Sequence, residues 1–499
     1  MSAAACFLTL VLLLLAHPCT EQVSGGRFPA DPVPQADPVA YRLRALLLPD
    51  SAARVGAPAL SLQSRAEVLA LYGPAPAAQW TRPDGQPTPA ADTVLRLLRN
   101  APSFGLQPAY YGVAALRALR DSLAVSSADS AQASRQARFD VALSDAVLTL
   151  MRDLHRGRLH PYTASPQEQA TGRAFRAAER LRPVLAANRV AAAVLACQPQ
   201  HRAYRQLQQA LARWLQQPDS AASAGAPHRY AQAALNLERW RWQAIVDSDY
   251  VLINIPAYEL LVVRADSLVR RHRVVVGKPA TPTPTLRSAI RSFTLAPDWH
   301  VPRSIATKEI LPRLKADPGY LARNGYTLYS LQGAMLDPLR INWATVTAQQ
   351  FPYLIRQSAG CDNALGNIVF RFPNPYSVYL HDTPMRQYFE QPQRAFSHGC
   401  IRLEQPLQLA AYLLRRDGSP VRLPDEAACA RQPRPRQVPL RRPMPLYVCY
   451  ATCDAEWGQL RFYPDIYHRD DALRQAMLSS TSAGSKILMD NTLKDDISH

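Results

Sequence analysis

Apolar residues between Val39 and Trp242 recur three and four positions apart, the spacing that lines one face of a helix. Ser64 stands where a cap would precede RAEVLALY, and Asp92 precedes TVLRLLRNA. VALSDAVLTLMRDL, from Val141 to Leu154, runs on to a stop at Gly157. GRAFRAAERLRPVLAA and AYRQLQQALARWLQQ predict further helices, and SAASAGAP interrupts the pattern before YAQAALNLERWRWQAIV resumes it. At Tyr250 the texture changes to short β-branched runs: YVLINIP, YELLVVRAD and LVRRHRVVVG, with Ala265-Asp266-Ser267 as a hairpin turn between the last two. NIVFRFPN, YSVYLHD, PLYVCYATC and QLRFYPDIY predict later strands. The fold class is therefore α+β, with a helical domain over 39–245, a mainly β domain over 246–435 and a C-terminal subdomain over 436–478.

The two ends read differently. Cys6 to Ala16 (CFLTLVLLLLA) is an apolar run of signal-peptide length, too short for an ordinary spanning helix, so 1–20 is expected to be a signal peptide or membrane anchor. Pro18 before Cys19 argues against lipid attachment there. Residues 21–38 read as a Pro- and Gly-rich linker, and the Ser-rich segment 479–499 as a flexible tail. The 499 residues carry 57 Lys and Arg against 39 Asp and Glu, a formal charge of +18 that favours an anionic polymer or surface. The excess is Arg spread along the chain rather than a Lys-rich block, which disfavours nucleic acid as a partner. Of the eight cysteines none forms a CxxC pair, so a structural zinc site is not predicted; whether Cys449 and Cys453 pair stays open.

Chemistry concentrates in SHGCIRL, residues 397–403. A thiol attacks as thiolate, so Cys400 needs a neighbouring base or cation, and His398 and Arg402 are at hand in sequence. Gly399 permits a sharp bend that would let nearby amides converge on an oxyanion. His381, at the end of the YSVYLHD strand, suits a base that takes the thiol proton and returns it to a leaving amine, and the Asp382 backbone carbonyl could hold its ring. Taken singly, Cys197, Cys361 and Cys429 read as buried small hydrophobes, His155, His201 and His468 as surface or helix-end residues, and Arg402 as an ordinary ion-pair residue.

His381, fifteen further residues, then Ser397-His398-Gly399-Cys400 resembles the active-site signature of L,D-transpeptidases with a YkuD-type catalytic domain. NLERWRW, VLINIPAYEL, VVVGKPATPTPTL, APDWHVPRSIATKEILP, NALG, FRFPN, VYLHDTP and RAFSHGCIRLEQP extend the likeness to that family's large periplasmic branch, and VALSDAVLTLMRDLHRGRLHP resembles the branch's helical scaffold. The resemblance implies an exported enzyme acting on peptidoglycan stem peptides without metal or organic cofactor. Murein synthases are candidate partners, and the leader would tether the chain to the inner membrane or be removed. It implies that Cys400 attacks the third stem residue, expels terminal D-Ala and forms a thioester, which an amine of a neighbouring stem resolves into a 3→3 cross-link. His381 would be base and then acid, and the amides of His398, Gly399 and Cys400 the oxyanion pocket. Tyr379, Arg402, Ser397, Asp382 and Trp299 would line the substrate site, with Arg402 facing a carboxylate and Trp299 acting as a lid.

Two departures stand out. Only QQPDSAASAGAP occupies the place where the branch often carries a wall-binding module, and SAGCD at 358–362 replaces a Pro-containing turn. A carboxypeptidase, or a hydrolase of lipoprotein-to-murein links, would use the same Cys400 and His381. A non-catalytic wall-binding protein would have no chemical need for either. A papain-like protease would place Cys before His, the reverse of this order.

Overall fold

The computed structural model describes residues 37–48, 60–125, 129–159, 166–218, 225–243, 245–424 and 434–478. The expected leader, nearly all of the linker, Cys6, Cys19, Cys429 and the tail from 479 lie outside them. Among the described residues no helix is long and apolar enough to cross a membrane.

The helical half is organised on the long helix Asp129–Arg156, whose Phe139, Leu143, Leu150, Met151 and Leu154 are fully buried. Helices Pro38–Leu47, Arg65–Tyr72 and Pro89–Arg99 bury one apolar stripe each against it, as their spacing predicts. Two caps differ from expectation. The Ser64 hydroxyl is shared with Thr149 at 2.8 Å instead of capping. Helix Pro89–Arg99 starts before Asp92: Thr88 caps it by accepting from Ala91 N at 3.2 Å, and Asp92 pairs with Arg120 at 2.9 Å. Within this half, Asp140 is buried yet accepts from the Tyr72 hydroxyl at 2.5 Å, Gln79 N at 2.9 Å and Trp80 N at 2.8 Å, which satisfies its carboxylate.

The β half begins with β1 (Asp249–Asn254), β2 (Glu259–Arg264), β3 (Ser267–Gly277) and β4 (Leu286–Leu295). The β2–β3 turn is the two residues Ala265 and Asp266, both left-handed at φ 47° and 65°, and Ser267 already belongs to β3. An insertion carries β5 (Trp299–His300), β6 (Tyr326–Ser330), β7 (Met335–Leu336) and β8 (Tyr353–Gln357), and the chain returns through β9 (Ile368–Arg371), β10 (Leu380–His381), β11 (Ala395–Ser397) and β12 (Ile401–Leu403). It ends with β13 (Arg436–Cys449), β14 (Cys453–Glu456) and β15 (Gln459–Phe462).

Nine strands pair in the order β11-β3-β12-β10-β9-β4-β13-β1-β2, and β2 pairs again with β3. The long β3 makes this closure possible: Ser267–Arg273 bond to β2, and Val274 onward bond to β12 and β11. The sheet thus curls into a barrel without exposed central edges. Side chains alternate as a period of two requires. Val251, Ile253, Leu260, Val262, Leu446 and Val448 fill the barrel. Tyr250, Leu252, Leu261, Val263, Tyr447 and Cys449 point outward under helices Arg202–Leu215 and Ala226–Arg241. Burial on both faces explains why YVLINI reads as continuously apolar.

The segment from 436, expected as a separate subdomain, instead contributes β13 between β4 and β1. Only the β14–β15 hairpin and helix Asp470–Leu478 stand apart from the barrel, and that helix returns to the helical half through a 2.6 Å Arg239–Asp470 ion pair, nearly buried. Within the helical half, Glu238 and Arg241 of helix Ala226–Arg241 each have a wholly buried side chain and lie 3.1 Å apart. Glu238 also accepts from Leu159 N at 2.8 Å, and Arg241 donates to Phe104 O at 2.5 Å. Cys449 and Cys453 are buried free thiols, not a disulfide. Cys197 is buried as expected, whereas Cys361 is exposed in the 358–362 turn. His155 and His201 end helices as expected but are buried, His155 stacked on Phe175 and His201 capping Tyr204 N.

Candidate active site

β10 is only two residues long, and it runs parallel to β12 with Leu380 opposite Ile401 and His381 opposite Arg402. Extending this register sets Tyr379 beside Cys400, and Ile401 N donates to Tyr379 O at 3.0 Å. With side chains alternating, Tyr379, His381, Cys400 and Arg402 share one face, His381 being the diagonal neighbour of the cysteine. The Tyr379 and His381 rings meet edge to face at 5.5 Å.

His381 is buried, and its Nδ1–H donates to the Asp382 carbonyl at 2.5 Å. That bond selects the tautomer with a free lone pair on Nε2. Burial, and then the charge of Arg402, lower its pKa to about 3. Burial pushes the Cys400 thiol up, opposed by hydrogen bonds from Tyr379 and the field of Arg402. The resting pair is consequently a neutral imidazole and a neutral thiol, and the thiol leans on Tyr379. This arrangement suits proton removal during attack rather than a preformed thiolate. Since His381 stays neutral above about pH 3, the rate of Cys400 acylation is expected to show no inflection near 6.5 between pH 5 and 8. A single-turnover pH profile with an acid limb at 6.5 would contradict the assignment.

The loop between β11 and β12 is built for one shape. Gly399 has φ 114°, outside the range open to L side chains. Ser397 Oγ donates to Cys400 O at 2.5 Å and accepts from Gly399 N at 3.1 Å. Segment 277–283 cradles the loop: Lys278 N donates to Ser397 O at 3.0 Å, and Thr283 Oγ1 donates to Gly399 O at 2.8 Å while accepting from Gly277 N at 2.8 Å. A Cβ on Gly277 would lie 2.2 Å from Thr281 O, so the cradle needs glycine there. Tyr467 braces it from behind, its hydroxyl donating to Gly277 O at 2.6 Å and accepting from Thr283 N at 3.1 Å. Gly399→Ala is expected to cost about 1–3 kcal/mol of stability by urea denaturation and to slow acylation by roughly a hundredfold, as the thiol is displaced. An alanine variant acylating at the original rate would remove the loop from the mechanism.

Several expected site residues hold other positions. Ser397 is buried and spends its hydroxyl inside the loop, so it does not line the cleft. The Asp382 carboxylate is buried against Asn367 N at 2.9 Å, leaving only its carbonyl to act on His381. The Gly399 amide is occupied by Ser397, so an oxyanion would have to draw on the His398 and Cys400 amides. His398 turns its ring outward to Glu309 at 2.5 Å. Glu309 belongs to the insertion 299–357, whose four-stranded sheet, in the order β5-β8-β6-β7, has its own core of Ile310, Leu314, Leu328, Trp343 and Ile355. Trp299 starts β5, and its indole N–H reaches the Tyr379 hydroxyl, so the insertion touches the site at both His398 and Tyr379. Arg402 is mostly buried, lies 5.5 Å from the Tyr388 ring centroid, and has no partner for Nε and Nη1 among the described residues. Sequence reading did not single out Glu309, Thr283 or Tyr467. The first two sit in stretches marked by resemblance, while Tyr467 ends the run QLRFYPDIY, whose strand stops at Phe462.

Residues 248–423 match the family described as the L,D-transpeptidase catalytic domain, YkuD, and residues 67–211 match the family described as the scaffold domain. A Haemophilus influenzae protein named "Putative L,D-transpeptidase" is 34% identical over 249 residues, 49% of this chain and 49% of that protein. The match thus spans about half the length of that relative.

Proposed function

Starting from a chain that carries an L,D-transpeptidase catalytic domain of the YkuD type behind a scaffold domain, we propose that it forms 3→3 cross-links in peptidoglycan through a Cys400 thioester. The reading rests on one juxtaposition above all. Cys400 sits on a glycine-dependent loop one register step from His381, whose Nδ1 is already committed to Asp382 O.

The donor stem binds with its third residue over Cys400 and a carboxylate on Arg402, whose unpaired donors and low-dielectric setting favour an anion. Sγ attacks the amide carbonyl carbon as His381 Nε2 takes the thiol proton, and the His398 and Cys400 amides receive the oxyanion. The C–N bond to the terminal D-Ala breaks, and its nitrogen leaves with the proton from His381. An acceptor amine then attacks the thioester, passes a proton to His381, and the Cys400 sulfur departs and regains it. The neutral resting dyad is consistent with this cycle, because neither Cys400 nor His381 carries a charge that would have to be buried before substrate arrives. An exported, envelope-located enzyme fits this substrate and the apolar leader, and murein synthases are the proposed partners.

Intact-mass measurement of the protein with a disaccharide-tetrapeptide tests the proposal. A Cys400 adduct followed by cross-linked dimer is the expected result. An adduct yielding only tripeptide would make the enzyme a carboxypeptidase, and no adduct would return it to a wall-binding role.

A further inference from the structure

Cross-linking needs two stem peptides, and each brings carboxylates to the same thioester. Arg402 offers one cationic position on β12, on one side of β10. On the other side lies an open groove of about 520 Å³ whose walls include Arg291, Arg371, Asn374, Ser377 and Tyr379. Tyr379 is common to both places: its hydroxyl meets the Cys400 thiol, and its ring centroid lies 6.0 Å from the Arg371 guanidinium.

The strand register accounts for this placement. Leu380 pairs with Phe370 across β10 and β9, so the next step sets Arg371 opposite Tyr379, and Arg371 in turn pairs with Ser292 on β4. A row from Cys400 through Tyr379 to Arg371 therefore crosses adjacent strands at sheet spacing, about 5 Å per strand. Arg291 and Arg371 are exposed, and neither meets a carboxylate among the described residues. Arg356 and Arg371 both disfavour protonation of His300, after burial and against the opposing Asp298 carboxylate. The groove floor is preformed: the Asn374 amide donates to Phe372 O at 3.0 Å and Val378 O at 2.8 Å, and its Oδ1 accepts from Tyr376 N and Val378 N at 3.1 Å. Two unpaired guanidiniums over a rigid floor make a receptor for a carboxylate, not for a cation or an apolar chain.

We propose that this groove binds the carboxylate-bearing acceptor stem peptide and directs its amine past Tyr379 to the Cys400 thioester. The inference rests on the transpeptidase reading and adds the location of the second substrate. The enclosed Arg402 position suits the donor, which is held through bond breaking. The open groove suits an acceptor that enters after the first product has left.

The test is the partition of the acyl-enzyme, because dimer and hydrolysed tripeptide both follow from one acylation and their ratio does not contain its rate. With full-length protein and disaccharide-tetrapeptide at fixed concentration, the R291Q/R371Q variant is expected to lower the dimer-to-tripeptide ratio about tenfold or more, the loss that accompanies charge-assisted hydrogen bonds. Arg371→Lys should recover part of it, and raising the tetrapeptide concentration should recover the rest. An unchanged ratio with a normal Cys400 adduct would overturn the groove assignment alone. Failure of the unsubstituted protein to form any adduct would instead overturn the transpeptidase reading on which it rests.

Discussion

Cys400→Ala is expected to eliminate the thioester adduct and reduce turnover by at least about a thousandfold, since no other group on the reacting face can form the covalent intermediate. The fold should be untouched. Cys400 is half-buried, its side chain is small, and its polar contacts run to Tyr379, which keeps Ile401 and Trp299 as partners. Melting temperature and urea midpoint should therefore change by an amount corresponding to less than about 1 kcal/mol. His381→Ala provides the contrast: the thiol survives but loses its proton acceptor, and a deficit of roughly a hundred- to ten-thousandfold is expected. A well-folded Cys400→Ala protein that still releases D-Ala from tetrapeptide would eliminate the proposed chemistry.

The largest effect on stability is expected far from the thiol, at Glu238→Ala. Both side chains of the Glu238–Arg241 pair are inaccessible to solvent, and Glu238 additionally receives Leu159 N. Removing the carboxylate leaves a guanidinium buried with only the Phe104 carbonyl and the Tyr204 hydroxyl as partners, a situation that costs about 3–5 kcal/mol. The pair joins helix Ala226–Arg241 to the loop after the long helix Asp129–Arg156, so the loss should appear as earlier unfolding of the helical half in urea. A shift below about 1 kcal/mol would mean that water or local rearrangement replaces the carboxylate.

Local pattern carried much of the molecule. The switch of period at Tyr250 marks the true start of the β half, and the Ala265-Asp266 turn and His381 at a strand end are visible from residues alone. What escaped depends on pairing at a distance. β4, LRSAIRSFTL, exposes Arg287 and Arg291 and interleaves serines with its apolar residues, so it does not stand out as a strand, although it sits between β9 and β13. β13 reads as the start of an appendage because nothing in its sequence says that β1 and β4 lie on either side. The insertion sheet is made of strands of two to five residues, too short for periodicity to identify. At the site, motif likeness groups Ser397 and Asp382 with the substrate and His398 with the oxyanion pocket. The structure assigns their side-chain polar atoms to the loop, the 366–367 turn and Glu309, tasks that a motif cannot distinguish from contact with a ligand.

The position of β13 sets an order on the chain's synthesis. A ribosome makes Cys400 and His381 well before Arg436, and until β13 emerges β4 and β1 have no strand between them. The cradle under the nucleophile waits longer still, for Tyr467. An incomplete chain thus holds the reactive residues in an unclosed barrel, and a nascent or truncated form has a thiol but no assembled catalyst. Assembly of the nucleophile loop is thereby tied to residues made well after the nucleophile itself.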